Sequence, residues 1–319
     1  MILTVTLNAA LDRTVAVPNF RQGHRHRAVE SRTVSGGKGI NVARALGLLG
    51  RPVIATGLAG GPAGARFLEQ LGEESILTDF TRIAAETRIN LALIDPTSGE
   101  QTEINERGPE VTAEELEEFV RRFEYLASGA RICVLAGSLP QGVDPDIYAR
   151  LVKGLREAGV TALLDAEGEP MLAGLRAGPS VIAPNVDEAE ELVGHEFEGA
   201  GDLSAGLARL IEMGAREVIV TRPDGCVAAV DEEGGRAFYE VSTEALEPVS
   251  GVGSGDAFLA GYAAARFDGA PPAQCLAYGV ACGAESTQHF GAGTVDRDQV
   301  ERILPGVEIA PLDVPAEVG

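Results

Sequence analysis

The chain has 319 residues, 45% of them apolar and 23% charged, and carries a net charge of −22 from 48 acids against 26 bases. That composition excludes a disordered chain, a collagen and a disulfide-stapled miniprotein, and the acidity argues against nucleic acid or anionic lipid as partners. No apolar run approaches the roughly 20 residues of a membrane helix, and MILTVTLNAALD lacks the basic start of a signal peptide, so a soluble cytoplasmic protein is expected.

In chain order, residues 2–7 and 53–58 read as short buried strands bounded by turn formers. Thr112 with Glu115 forms a capping box that opens a helix carrying Leu116, Phe119, Val120 and Phe123 on one face. A strand at 132–135 follows, then a helix through Tyr148, Leu151, Val152 and Leu155, then strands at 160–164, 181–183 and 218–220. This alternation predicts an α/β fold: right-handed crossovers and a mostly parallel sheet covered by helices on both faces. Residues 13–34 and 87–106 break the rhythm. They alternate polar and apolar positions, as in half-exposed strands, which a sheet buried on both faces does not contain. They read as a small β-sheet lid or dimerisation flap inserted into a core of residues 1–12, 35–86 and 107–319; a decorative edge hairpin is the plainer alternative.

Cys133, Cys226, Cys275 and Cys282 have no CxxC spacing and read as buried free thiols. The His24–His26 pair has no neighbouring ligands and predicts no metal site. Two glycine turns carry more. Ser250-Gly-Val-Gly-Ser-Gly-Asp-Ala-Phe places three glycines before an apolar helix, a cradle of backbone N–H groups for an anion. Asp256 reads either as the N-cap of that helix or as a general base beside a bound phosphate. Ser35-Gly-Gly-Lys-Gly-Ile-Asn places Lys38, one of only two lysines in the chain, and Asn41 in the first turns of a second helix, a set that suits a phosphorylated polyol. Neither a Walker loop nor a GxGxxG fingerprint is present.

GGKGINVAR and GVGSGDAFLAG resemble the paired signatures of the PfkB group of ribokinase-like carbohydrate kinases, and TLNAALD, TRIN, QTEINERGP, LAGSLP and APNVDE follow in that family's order over nearly the whole chain. The resemblance implies a ribokinase-like three-layer sandwich and an ATP- and Mg²⁺-dependent kinase. Within the family the chain looks most like 1-phosphofructokinase, with tagatose-6-phosphate kinase close behind and 6-phosphofructokinase as a further alternative. It implies Asp12 on the sugar hydroxyls, and Gly37, Lys38, Asn41, Arg88 and Ser138 on the sugar phosphate and ring. Arg25 and Arg27 fall on the lid, within reach of a phosphate across a homodimer. Asn185 and Glu188 would organise Mg²⁺ through water, and Thr221 and Gly225 would lie along the nucleotide. Gly253, Ser254 and Gly255 would form the anion hole with Asp256 as base, and Ala281, Gly283 and Ser286 would meet the adenine. The chain departs from the family pattern at Ala9-Ala10, at Ala183 where a Lys is common, at Thr221-Arg222-Pro223 and at Asp165-Ala-Glu-Gly168. The Ala183 departure motivates an alternative from another class, a catalytically silent sugar-phosphate sensor.

Overall fold

A computed structural model describes residues 1–244 and 246–312; residues 245 and 313–319, part of the expected core range, lie outside the described residues. The elements run β1 (Ile2–Thr6), β2 (Ala10–Ala16), β3 (Glu30–Gly36), α1 (Lys38–Leu48), β4 (Val53–Gly60), α2 (Gly61–Glu73), β5 (Leu77–Ile83), β6 (Arg88–Ile94) and β7 (Gln101–Ile104). They continue with α3 (Ala113–Ala127), β8 (Ile132–Ala136), α4 (Ile147–Glu157), β9 (Thr161–Asp165), α5 (Gly168–Arg176), β10 (Val181–Ile182), α6 (Val186–Val193) and α7 (Ala200–Glu212). The last are β11 (Glu217–Arg222), β12 (Gly225–Glu232), β13 (Gly235–Ser242), α8 (Ser254–Phe267), α9 (Pro272–Ser286), α10 (Arg297–Ile303) and β14 (Glu308–Pro311).

The large sheet has ten strands in the order β14-β13-β12-β11-β10-β9-β8-β1-β4-β5. From β11 to β5 all neighbours are parallel, and β12, β13 and β14 extend the edge antiparallel. Period-two alternation sends Leu3 and Val5 to one face and Ile2 to the other. One core layer lies under α1, α2, α8, α9 and α10, the other under α3, α4, α5, α6 and α7. The expected three-layer α/β sandwich is therefore the architecture found. The four cysteines are free and buried.

A separate four-stranded sheet, β3-β2-β6-β7, joins β2 and β6 in parallel. It begins at Ala10, three residues before the boundary read from the sequence, so Asp12 belongs to the small sheet and not to the core. Hydrophobic alternation missed those residues because Ala10 and Leu11 are themselves buried. Odd positions of β6 carry Ile89, Leu91 and Leu93, and Leu91 pairs with Ile104 on β7; Ile89 and Ile104 are exposed. Even positions carry Arg88 and Asn90, opposite Ala10 and Asp12 on β2.

One ionic cluster sits inside the larger domain. The buried Glu217 carboxylate accepts from Tyr262 Oη (2.8 Å) and from both terminal nitrogens of Arg266 (2.6 and 2.9 Å), tying β11 to α8. Removing one partner of such a pair strands the other charge, whereas replacing both with apolar groups can be close to neutral. We expect Glu217→Ala to lower the unfolding free energy by about 3 kcal/mol in urea titrations, and Glu217→Leu with Arg266→Met to recover most of that loss.

Candidate active site

Parallel α/β sheets bind ligands in the crevice beyond the carboxyl ends of their strands, and the main cleft here, about 810 Å³, lies there. Asp165 closes β9, Ala183 follows β10 and Arg222 closes β11, and all three line it. Lys38, Asn185, Glu188, Thr221, Gly225, Gly253, Ser254, Gly255, Asp256 and Gly283 also line the cleft, so Lys38 from the first glycine turn and residues 253–256 of the second face one space.

The turn before α8 works by backbone shape. Gly253, the N-cap, is left-handed (φ 82°), a conformation that L side chains adopt reluctantly. Ser254 N donates to Gly251 O at 3.3 Å, while Gly255 and Asp256 occupy the first helical turn, where N–H groups have no preceding helical carbonyl. The helix therefore presents its positive end to the cleft. Asp256 is thus not an N-cap: it stands three residues inside, in the first turn, and its side chain caps nothing. Its Oδ2 accepts from Asn41 Nδ2 at 2.8 Å. Burial, with the Asp165 carboxylate, raises the Asp256 pKa to about 7, against the opposing pull of Asn41 and Lys38.

Gly37 (φ 116°) similarly caps α1 and turns Lys38 into the cleft. There the ammonium meets Asp165 Oδ1 at 3.2 Å, Glu167 Oε1 at 3.1 Å and Glu188 Oε1 at 3.7 Å. Burial alone would lower its pKa, but the three carboxylates outweigh burial and raise it, so Lys38 stays charged. The sequence assigned Lys38 to a phosphate; the structure adds that three acids already hold it. Asp165, given no role above, is buried and sits between Lys38 and Asp256 electrostatically. Its position at the carboxyl end of a parallel strand was the available signal.

Asn185 and Glu188 form a reciprocal capping box on α6: Asn185 Oδ1 accepts from Glu188 N and Glu188 Oε2 from Asn185 N, each at 2.9 Å. The Asn185 oxygen is therefore already committed. Among the described residues no group of three His, Cys, Asp or Glu side chains is arranged to grip a metal ion. The remaining Glu188 oxygen, with Asp165 and Glu167, suits accepting hydrogen bonds from a metal's waters, so the residues fit Mg²⁺ through its hydration shell.

The helix α9 wall differs in register from the expectation. Val280, Gly283, Ala284 and Thr287 face the cleft, at i, i+3, i+4 and i+7. Ala281 is fully buried in the core, and Ser286 is buried with its hydroxyl donating to Gly283 O at 2.8 Å; neither lines the cleft. Leu246 and Pro248 add apolar surface to the same lining. Arg222, which lines the cleft as Ala183 does, is held by Glu240 (2.7 Å) and Asp224 (3.4 Å).

A second cluster lies on the small sheet. Asn90 Nδ2 donates to Asp12 Oδ1 at 2.8 Å, and burial raises the Asp12 pKa despite that bond and the Arg88 and Arg44 guanidiniums. Arg88 donates to Glu106 O (2.8 Å) and Asn8 O (3.1 Å), and Asn8 Nδ2 reaches Ser138 Oγ at 3.1 Å. Arg88 Nε, Asn8 Oδ1 and Asn90 Oδ1 are buried without protein partners, one donor and two acceptors. Buried polar atoms of this kind are normally satisfied, which suits a polar, hydroxyl-rich ligand. Asp12, Asn90, Arg88 and Ser138 are thus gathered here rather than in the main cleft. Arg25 and Arg27 are exposed on the β2–β3 loop, and no contact among the described residues joins either to this cluster.

A carboxylate at a positive helix end, beside a cleft at the carboxyl ends of parallel strands, is an arrangement that suits group-transfer chemistry on an α/β fold. The pfkB family carbohydrate kinase model matches residues 5–299, and the chain belongs to that family. It is similar to tagatose-6-phosphate kinase of Staphylococcus epidermidis, 31% identical over 97% of this chain and 99% of that protein. Among solved structures it resembles phosphofructokinase-2 from Escherichia coli in complex with potassium (TM-score 0.89, 27% identity, 95% of this chain and 98% of the other). It also resembles a Thermotoga maritima protein described as a possible 1-phosphofructokinase (TM-score 0.87, 28% identity, 98% and 100% covered). The chain is a sugar-phosphate kinase of that family. Among the described residues no helix is long and apolar enough to cross a membrane.

Because the folded Asp256 pKa lies above the unfolded value of 3.8, the folded state holds this proton more tightly. The stability it contributes is complete at low pH and is lost as pH rises from about 4 through 7. Asp256→Asn removes that titration. Its thermal midpoint should exceed that of the unsubstituted protein at pH 8 and approach it at pH 5, as read by calorimetry across that range.

Proposed function

We propose that the protein transfers the γ-phosphoryl group of ATP to a ketohexose phosphate, converting fructose 1-phosphate to fructose 1,6-bisphosphate. The observation that carries this reading is the Asp256 carboxylate, held by Asn41 in the first turn of α8 with a pKa of about 7. A base poised near neutrality accepts a proton efficiently and releases it afterwards. As the C6 hydroxyl oxygen bonds to the γ-phosphorus and the bond to the departing ADP oxygen breaks, Asp256 takes the hydroxyl proton. Loose phosphoryl-transfer transition states spread charge over the equatorial oxygens, and the amides of Gly253, Ser254 and Gly255 are the donors that meet it. Mg²⁺, bound to the nucleotide phosphates, would supply charge neutralisation, with Glu188 accepting from its waters.

The sugar phosphate would use the small-sheet cluster: Asp12 and Asn90 for ring hydroxyls, and Arg88 with Ser138 for the phosphate. Gly37, Lys38 and Asn41 would span the gap to the reacting centre. Val280, Gly283, Ala284 and Thr287 would hold the adenine against Leu246 and Pro248, with Thr221 and Gly225 beside the ribose and phosphates. The small sheet would close as a lid. Its exposed Ile89 and Ile104 would be covered in a homodimer, bringing Arg25 and Arg27 toward a partner's substrate. A second reading, tagatose 6-phosphate as acceptor, is favoured by the Staphylococcus relative.

A coupled assay with Mg·ATP over fructose 1-phosphate, fructose 6-phosphate, tagatose 6-phosphate and fructose should give the highest kcat/KM for fructose 1-phosphate; preference for unphosphorylated fructose would contradict the roles given to Lys38 and Arg88. Asp256→Asn should lower kcat by about 10²- to 10⁴-fold while binding of sugar phosphate is retained. The kcat/KM profile of the unsubstituted protein should rise with pH through about 7 as Asp256 loses its proton, and a flat profile between pH 6 and 8 would exclude it as the base.

A further inference from the structure

The segment between α9 and α10, residues 287–296, is tied at both ends by one carboxylate. Glu285, 2% exposed, places Oε1 2.6 Å from His289 Nε2, and its Oε2 accepts from Asp296 N at 2.9 Å. Between these anchors the segment packs against residues of the candidate active site. A Cβ at Gly253 would lie 2.5 Å from Ala292 Cβ, and one at Gly293 would lie 2.6 Å from Asn41 O, so the segment packs without slack against both the α8 N-cap and the start of α1. Arg44 meets the same tip from α1. Its NH1 donates to Ala292 O at 3.3 Å and to Asn41 Oδ1 at 3.2 Å, while NH2 donates to Ser35 O at 2.7 Å and Nε to Glu74 at 2.6 Å. With Oδ1 of Asn41 occupied by a cation, its Nδ2 is the end turned toward Asp256.

We propose that Glu285 and Arg44 are positioning residues for phosphoryl transfer, clamping the 287–296 segment against Gly253 and Asn41 so that the α8 turn and the amide facing Asp256 keep one geometry. The consequence for turnover rests on the kinase reading above; the clamp itself does not. Neither residue needs to touch substrate. The buried Glu285 carboxylate holds two groups, the His289 ring and Asp296 N, on either side of a tip rich in glycine, Gly291 and Gly293, both at positive φ, and glycines have no side chains to hold such a tip. Arg44 selects between two orientations of the Asn41 amide. Only one presents a donor to Asp256; the other would set oxygen against oxygen.

Four groups act on Asp256: Asn41 and Lys38 from α1, Asp165 from β9 and Glu188 from α6. Only the Asn41 contact runs through the clamp. Loosening it removes a hydrogen bond that lowers the Asp256 pKa, so the carboxyl should titrate higher. That titration can be read without turnover, as the difference in thermal midpoint between each background and the same background carrying Asp256→Asn, from about pH 5 to 9.

The test uses the full chain with Glu285→Ala and, independently, Arg44→Met, since either alone could fold poorly. Both should move the Asp256 titration upward by roughly half a unit or more and lower kcat about tenfold or more, with KM for the sugar phosphate nearly unchanged. Glu285→Gln, which can still accept from Asp296 N and donate to His289, should recover most of both effects. Folded variants that lose only thermal stability, with titration and kcat as in the unsubstituted protein, would overturn the proposal. If the titration shifts but the unsubstituted protein phosphorylates none of the sugar phosphates, the clamp stands and the kinase substrate reading falls.

Discussion

The hydrogen bond from Asn41 Nδ2 to Asp256 Oδ2 joins the first turns of α1 and α8, helices that begin 216 positions apart in the chain (254 − 38). Each helix starts at a left-handed or otherwise positive-φ glycine, Gly37 and Gly253; the α8 start lines the cleft and α1 sends Lys38 into it. A buried carboxylate there would be costly if ionised and alone. The amide donor and the helix end offset part of that cost, while burial and Asp165 keep enough of it to hold the proton until pH approaches 7. Under the proposed mechanism folding and chemistry meet in one side chain, whose raised pKa would suit it to act as a base.

Charge around the cleft follows the same logic on a larger scale. Its lining includes Asp165, Asp187, Glu188, Asp224, Glu244 and Asp256 against Lys38 and Arg222, within a chain of net charge −22. Side chains alone therefore repel a polyphosphate. Attraction must come from the backbone at helix ends, from Lys38, and from cations carried in with the nucleotide. In the proposed function this makes metal–nucleotide binding more than an accessory.

Much of this was legible in the sequence because the physical demands are local. An anion-binding turn needs glycines immediately before a helix, and both turns were found that way, as were the capping box at Thr112 and the odd rhythm of the small sheet. What escaped depended on tertiary placement. Helix α9 is apolar on nearly every side, since it packs on α8 and the sheet as well as facing the cleft, so no stripe marked Val280, Ala284 and Thr287 over Ala281 and Ser286. Asp256 looked like an N-cap because the true cap, Gly253, acts through φ and not through a side chain. The three acids around Lys38 come from β9, the N-cap of α5 and α6, and only the folded sheet brings their ends together. Arg44 closes the GGKGINVAR run but was given no role there, and Glu285 carried no motif that set it apart from surface charges.

The proposed geometry sets one helix end and one carboxylate on opposite sides of the transferring phosphoryl group. It is tested most directly by a crystal structure with fructose 1-phosphate, Mg·ADP and aluminium fluoride as a transition-state mimic. The account predicts the fluoride plane against the amides of residues 253–255, with the acceptor hydroxyl within hydrogen-bond distance of Asp256. A mimic bound elsewhere in the cleft, or a hydroxyl facing some other base while Asp256 stays bonded only to Asn41, would contradict it.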